Sequence, residues 1–262
     1  MDAFVKKDRP SITALIYGGD MQKVKAETAK VIEQGVDIIG YMLESYEAEW
    51  HTESGMKKLI ELAHGMPIYI TDYIRGNKYK EDITDEELEN QLMLFLKLSK
   101  GKSAVLIDVR TDMFDPVKDE FTLNETAIQK QEDFIKAIHD NGGKVIMSSH
   151  SLESVSTAER VLYIAQEQQR RGADISKIVV TAPTEKDLFT NYEISLKLKK
   201  ELSIPYLFLC NGDFCYRHRR LSAPLGSCMI LVRENSLINE SQPTVAEAKE
   251  LLKCLAYYDD DK

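Results

Sequence analysis

Short runs of apolar, largely β-branched residues recur along the chain, separated by stretches in which apolar positions return at helical spacing. There are eight such runs, and they predict strands at Ile12–Tyr17, Asp37–Leu43, Pro67–Thr71, Ala104–Asp108, Lys144–Ser148, Ile178–Thr181, Tyr206–Cys210 and Ser227–Val232. The intervening patterns predict helices near Met21–Gln34, Ser54–His64, Asp85–Ser99, Glu125–Asn141, Ser154–Arg171, Glu185–Glu201 and Thr244–Leu255, with a poorly marked one around Phe214–Leu221. Glycines at Gly35, Gly142 and Gly172 follow helical patterns and precede strands, as helix stops in αβ turns do. Strict alternation of strand and helix implies parallel strands joined by right-handed crossovers. Eight repeats with no linker point to one (β/α)8 TIM barrel spanning 1–262, a length that fold needs. An open doubly wound sheet is the alternative, weakened because no GxGxxG or GxxxxGK[ST] follows any strand.

Charge narrows the partners. With 34 Lys plus Arg against 43 Asp plus Glu the formal charge is -9, which argues against a nucleic-acid backbone or an anionic membrane surface as partner. An anionic substrate would need a locally basic pocket. The opening MDAFVKKDRP lacks an apolar signal core and no run is long enough to span a bilayer, so a cytoplasmic protein is expected. The four cysteines form no CxxC pair, which suggests neither a zinc cluster nor a disulfide framework, and Cys210 and Cys228 read as reduced core residues. The charged tail Tyr258–Lys262 is given no role in the fold.

In such a barrel the chemistry sits at the C-terminal ends of the strands. Strand five ends Val145-Ile-Met-Ser-Ser-His150, and a period of two puts Ile146, Ser148 and His150 on one face, with His150 at the mouth if that face is inward. In Ser176-Lys-Ile-Val-Val-Thr-Ala-Pro183 the same period groups Lys177, Val179 and Thr181, and sends Ile178 and Val180 outward beneath the helices. An ammonium inside a parallel barrel must be paired or have its pKa lowered, and a lowered pKa is what an imine-forming lysine needs. The plainer alternatives are a solvated lysine at the N-terminal end of strand six and an ordinary loop histidine.

These two segments together, Val145–His150 and Gly172–Pro183 with Lys177, resemble the histidine and lysine segments of the type I 3-dehydroquinate dehydratases. The resemblance extends to Pro10–Leu15, to Val36-Asp37-Ile38, and to the stretch from Pro205 to the Gln242 region. It implies that Lys177 forms an imine with the substrate ketone, that His150 moves protons, that Arg219 binds the substrate carboxylate, and that Gln242 closes over it from a lid loop. No metal or organic cofactor is implied. The implied partner is a small carboxylate, the implied place is aromatic amino acid biosynthesis through the shikimate pathway or else quinate breakdown, and a homodimer is allowed.

Several positions depart from the family. Its glutamate and arginine after strand two fall on Gly40 and Met42, its arginine after strand three on Tyr73, and the glutamate that supports the histidine on Asn77. Arg75 stands near enough to replace the lost charge. The usual acid after strand four is Arg110, the connection to strand five is long, Ser149 and Ser151 replace Asn and Asp, and the serine near the lid glutamine falls on Ile238. The lysine, histidine and carboxylate anchor are thus kept while the groups that read the ring hydroxyls are largely lost. Returning Glu and Arg at positions 40 and 42 is expected to recover some recognition. Two other readings stay open: a Schiff-base lyase or aldolase acting on a different small keto acid, and a non-catalytic metabolite-binding barrel.

Overall fold

The computed structural model describes residues 2–152, 155–234 and 241–255. Eight strands alternate with eight helices in chain order: β1 (Ser11–Tyr17), α1 (Met21–Glu33), β2 (Ile38–Met42), α2 (Glu53–Leu62), β3 (Ile68–Thr71), α3 (Asp85–Ser99), β4 (Val105–Arg110), α4 (Glu125–Asp140), β5 (Lys144–His150), α5 (Ala158–Arg170), β6 (Ile175–Thr181), α6 (Glu185–Glu201), β7 (Tyr206–Asn211), α7 (Cys215–Leu221), β8 (Met229–Val232) and α8 (Val245–Cys254). All pairings are parallel, in the order β7-β6-β5-β4-β3-β2-β1-β8. That strictly sequential order, with β1 between β2 and β8, excludes the doubly wound alternative, whose order must reverse at a switch point. The β7/β8 seam is bridged where the Cys228 N–H donates to the Tyr206 carbonyl at 2.8 Å. The architecture is a TIM barrel.

The helices start where their sequences cap them. Asp20, Thr52, Asn124 and Thr157 accept from first-turn amides, and Thr84–Glu87, Thr184–Asp187 and Thr244–Glu247 form reciprocal capping boxes. Gly142 and Gly172 adopt φ of 82° and 103°, conformations that side chains with a Cβ resist, which explains the glycines after α4 and α5. α7 is the short helix of Cys215–Leu221 that the weak pattern suggested.

Strand bounds differ from the sequence expectation at two places that matter. β6 begins at Ile175 and not at Ile178, and β5 continues to His150. The expected start of the fifth helix, Ser154, the tail Tyr258–Lys262 and Ile238 lie outside the described residues. The patterning also gave no sign of the short 3-10 turns at Leu43–Ser45, Ala48–His51 and Lys118–Glu120, which sit in the loops above the strands.

The alternation of side chains separates two cores. Ile38, Leu106, Ile146, Ile175, Leu207 and Met229 fill the lower lumen, closed from below by Phe4. Ile178, Val180 and Phe208 point outward into Val161, Ile164 and Ile194 of α5 and α6. Burying the lower lumen frees the upper layer to carry polar groups.

Candidate active site

At the C-terminal ends of the strands a cavity of about 160 Å³ is lined by Tyr73, Arg75, His150, Lys177, Arg219 and Gln242, with Leu15, Met42, Leu209 and Leu231 as its apolar wall. All five residues singled out from the sequence meet here.

Lys177 lies inside the barrel because β6 starts early: it is the third strand residue, inward with Ile175 and Val179, and only 4% exposed. The solvated lysine is therefore excluded. Its Nζ donates to Asp108 Oδ2 at 2.8 Å and to the hydroxyls of Tyr69 and Tyr73 at 2.9 Å each. Three acceptors match the three protons of an ammonium. Both phenols in turn donate to Asp108 Oδ2, at 2.6 Å from Tyr69 and 2.8 Å from Tyr73, and Ser148 donates to Oδ1 at 2.5 Å. Burial pushes the Asp108 carboxyl up, but the Lys177 charge and these hydrogen bonds outweigh it and hold the group below its ordinary value. Sequence reasoning missed Asp108. Its signal was an acid at the inward step of an otherwise apolar strand, Val105-Leu106-Ile107-Asp108.

His150 ends β5, and its Nδ1 lies 2.5 Å from Glu120 Oε2. Burial and the neighbouring Lys177 charge hold the imidazole below its ordinary value even though the Glu120 bond raises it. The ring is therefore neutral at pH 7 and able to take a proton at Nε2. Glu120 is pushed up by burial yet ends below the usual carboxylate range, because His150 and Arg75 sit beside it. The acid expected to be missing at Asn77 is thus supplied from elsewhere in the chain. Asn77 itself turns away, donating to Asp72 Oδ1 at 2.9 Å and the Tyr73 carbonyl at 3.1 Å.

The long connection after β4 delivers Glu120, and the departures near β5 hold that connection in place. Ser149 donates to the Asp119 carbonyl at 2.7 Å and Ser151 to Asp119 Oδ1 at 2.9 Å. Arg171, fully buried between α4 and α5, grips the Thr111 and Thr122 carbonyls at 3.0 and 2.7 Å. Asp119 and Glu120 have φ of 67° and 47°, in the left-handed region that non-glycine residues avoid. Two consecutive residues of that kind persist only where surrounding contacts over-determine them, a property concentrated at functional sites.

Arg75 lines the cavity, but its guanidinium is paired with Glu120 at 2.9 Å. Arg219, 5% exposed, donates from Nε to the Cys210 carbonyl at 3.1 Å and from Nη2 to Asn211 Oδ1 at 2.8 Å. No carboxylate pairs with it among the described residues. A buried cation without a counter-ion marks where an anionic ligand would be received. Gln242 is 2% exposed, and its Oε1 has no hydrogen-bond partner among the described residues, a second group left open in the cavity wall.

The sites of lost recognition groups are filled by other means. Gly40 faces the lumen with no room for a side chain: a Cβ would sit 2.9 Å from Leu15 Cδ2, 3.0 Å from the Ala14 carbonyl and 3.2 Å from Tyr69 Cδ1. The Tyr69 ring occupies that space, so the expectation that glutamate could be returned at position 40 is overturned by overpacking. Arg110 points away, paired with Asp85 at 2.5 Å and Asp112 at 3.2 Å.

No helix among the described residues is long and apolar enough to cross a membrane. The sequence model of the family described as type I 3-dehydroquinase matches residues 12–259. The chain is 23% identical over 253 residues to the 3-dehydroquinate dehydratase of Clostridium kluyveri, covering 95% of this chain and 93% of that protein. It is 23% identical over 230 residues to the catabolic 3-dehydroquinate dehydratase of Acinetobacter baylyi, covering 86% and 79%. Among solved structures, the 3-dehydroquinate dehydratase of Geobacillus kaustophilus superposes with a TM-score of 0.81 at 18% identity, covering 97% of this chain and 94% of that one. The type I enzyme of Clostridium difficile, solved with covalently modified comenic acid, gives 0.80 at 18% identity, covering 96% and 94%. With the fold and the full-length sequence match in agreement, the chain belongs to the type I 3-dehydroquinase family.

Proposed function

We propose that this protein is a hydro-lyase that dehydrates 3-dehydroquinate to 3-dehydroshikimate through an imine on Lys177. The observation that carries the reading is one cavity holding a buried lysine beside a neutral histidine anchored by Glu120. The Lys177 nitrogen attacks the C3 ketone and water leaves, giving a cationic imine whose charge Asp108 balances. The iminium withdraws electrons and makes the C2 proton acidic. His150 takes that proton, the C1 hydroxyl departs protonated as water, and hydrolysis of the imine returns the amine. Arg219 holds the carboxylate, and Gln242 Oε1 accepts from a substrate hydroxyl. Arg75 keeps Glu120 in place and is a secondary cation toward the substrate.

The test is a dehydratase assay on 3-dehydroquinate that follows the conjugated enone in the ultraviolet, joined to borohydride reduction and peptide mass spectrometry. Enone formation with an adduct on Lys177 supports the reading. An adduct on another lysine, or none, overturns it.

A second reading has its own observation. The β2–β3 wall of the cavity presents Met42 and Tyr73 where the family carries charged groups, so recognition of ring hydroxyls is weakened there. A Lys177 adduct formed with a simpler keto acid, without enone formation from 3-dehydroquinate, would select a Schiff-base lyase or aldolase of different substrate.

A further inference from the structure

Two tyrosines make the same pair of bonds at the reacting nitrogen, yet only one can meet a substrate. Tyr69 and Tyr73 each lie 2.9 Å from Lys177 Nζ and each donate to Asp108 Oδ2. Tyr73 lines the cavity and Tyr69, behind it at 1% exposure, does not. We propose that Tyr73 is a catalytic proton relay between Lys177 Nζ and the ketone oxygen during imine formation and hydrolysis. This rests on the imine reading above.

The need for such a group follows from counting protons. An ammonium and a ketone become an iminium and water with no proton gained or lost, so two N–H protons must travel from nitrogen to oxygen. In the first transfer the Tyr73 O–H turns from Asp108 to the carbonyl oxygen and passes its proton there, while its own oxygen takes a proton from Nζ. The nitrogen pair forms the N–C bond and the C=O π pair goes to oxygen, giving a protonated carbinolamine. In the second, the same relay protonates the carbinolamine hydroxyl. The C–O pair leaves with water, and the nitrogen pair closes the C=N bond. One N–H remains on the iminium and stays on Asp108.

Each of the other groups lacks one of the two contacts that this transfer uses. Asp108 bonds the nitrogen but is 2% exposed and does not line the cavity. His150 lines the cavity but has no bond to Nζ, its Nδ1 being held by Glu120. Tyr73 has both contacts, with its ring edge-to-face on His150 at 5.7 Å between centroids. Burial and the nearby Asp108 charge push its hydroxyl well above the ordinary value, so it passes protons on without ionising. The division that results gives N-to-O transfers to Tyr73 and the C–H step to His150.

The experiment compares wild type, Tyr73→Phe and Tyr69→Phe. Incubation with 3-dehydroquinate, pyruvate and levulinate and borohydride quenching at timed intervals gives the rate and final extent of the Lys177 adduct. Exchange of ketone oxygen with ¹⁸O-water reports the same step, and exchange of the adjacent C–H proton per unit of imine reports His150. Tyr73→Phe should slow adduct formation and oxygen exchange by roughly a hundredfold, with the final extent and the C–H exchange per imine unchanged. Tyr69→Phe, which loses equivalent hydrogen bonds but does not face the cavity, should slow both by no more than roughly tenfold. Oxygen exchange in wild type should also show a solvent deuterium isotope effect that disappears in Tyr73→Phe. Wild-type exchange rates in Tyr73→Phe, or an equal deficit in Tyr69→Phe, would overturn the relay. No Lys177 adduct in wild type with any of the three acids would overturn the imine reading first, before either variant is consulted.

Discussion

Two pairs of buried carboxyls stand side by side at the barrel mouth, above neighbouring strands, and they have opposite fates. On the β2–β3 side Glu44 and Asp72 are 8% and 3% exposed, and burial pushes Glu44 up to about 7 and Asp72 well above its ordinary value. Their hydrogen-bond partners are neutral, Thr71 donating to Glu44 at 2.7 Å and Asn77 to Asp72 at 2.9 Å, and the unbonded Lys177 charge does not offset the burial of Glu44. On the β4–β5 side Asp108 and Glu120 are also largely buried, yet both are held below their ordinary values. What differs is the company: Lys177 for Asp108, His150 and Arg75 for Glu120. Burial alone favours the neutral acid, and on this side a fixed cation together with its hydrogen bonds reverses it. The ionised side is where the lysine and the histidine stand, while the β2–β3 side, where the family carries its hydroxyl-reading charges, is built of neutral groups.

The largest effect should come from removing the cation that keeps Asp108 ionised. Lys177→Met is expected to lower turnover at least roughly 10⁴-fold, since no electron sink forms. It should also cost on the order of 3–5 kcal/mol of stability at neutral pH, because Asp108 is left as an unpaired buried charge. Lys177→Met/Asp108→Asn should then regain most of the stability and none of the activity, as read by denaturant melts beside the assay. A single variant as stable as wild type would show that Asp108 is not ionised.

Next comes Glu120→Gln, which keeps the shape and deletes the charge. The base must be neutral, so activity falls as pH drops through the His150 pKa, and Glu120 raises that pKa. Without it the acid limb of kcat/KM should move to lower pH, while the plateau falls roughly tenfold to a hundredfold as the ring loses its anchor. An acid limb that stays in place would remove Glu120 from the mechanism. Smaller again is Arg219→Ala: the cavity's one buried cation without a carboxylate, among the described residues, should raise KM about tenfold with kcat less affected. Unchanged kinetics on an acid substrate would move the anchor to Arg75.

How much of this was legible in the sequence depends on the range of the interaction. Inward Lys177 and outward Ile178 and Val180 follow from a period of two, a local rule, and the strand order from the alternation of strand and helix. Glu120 did not show, because it reaches His150 from 30 positions away through a loop held by Arg171, Ser149 and Ser151, and by left-handed residues that are not glycines. Ser149 and Ser151 looked like simple losses until their loop contacts were seen. Gly40 likewise reads as a deletion in sequence, and only the packing reveals that Tyr69 fills its place.

The smallest effect tests the neutral side of the comparison through stability against pH. Glu44 titrates near 7 in the folded protein against 4.5 for an ordinary glutamate, so the folded state holds a proton that the unfolded state releases between those values. Its contribution to stability is therefore intact below about pH 4.5 and is lost as pH rises through 7. The full shift corresponds to about 3 kcal/mol, and a site that relaxes on ionisation recovers part of it, leaving about 2 kcal/mol. Glu44→Gln replaces the protonated acid with a neutral group of the same shape, able to keep the contact with Thr71. The variant should match wild type near pH 5 and exceed it near pH 8, with Asp72 leaving a residual slope in both. Parallel denaturation midpoints at the two pH values would settle it. If wild type and Glu44→Gln lose stability equally from pH 5 to 8, Glu44 is ionised in the fold, and the contrast between the two sides of the mouth does not hold for that carboxyl.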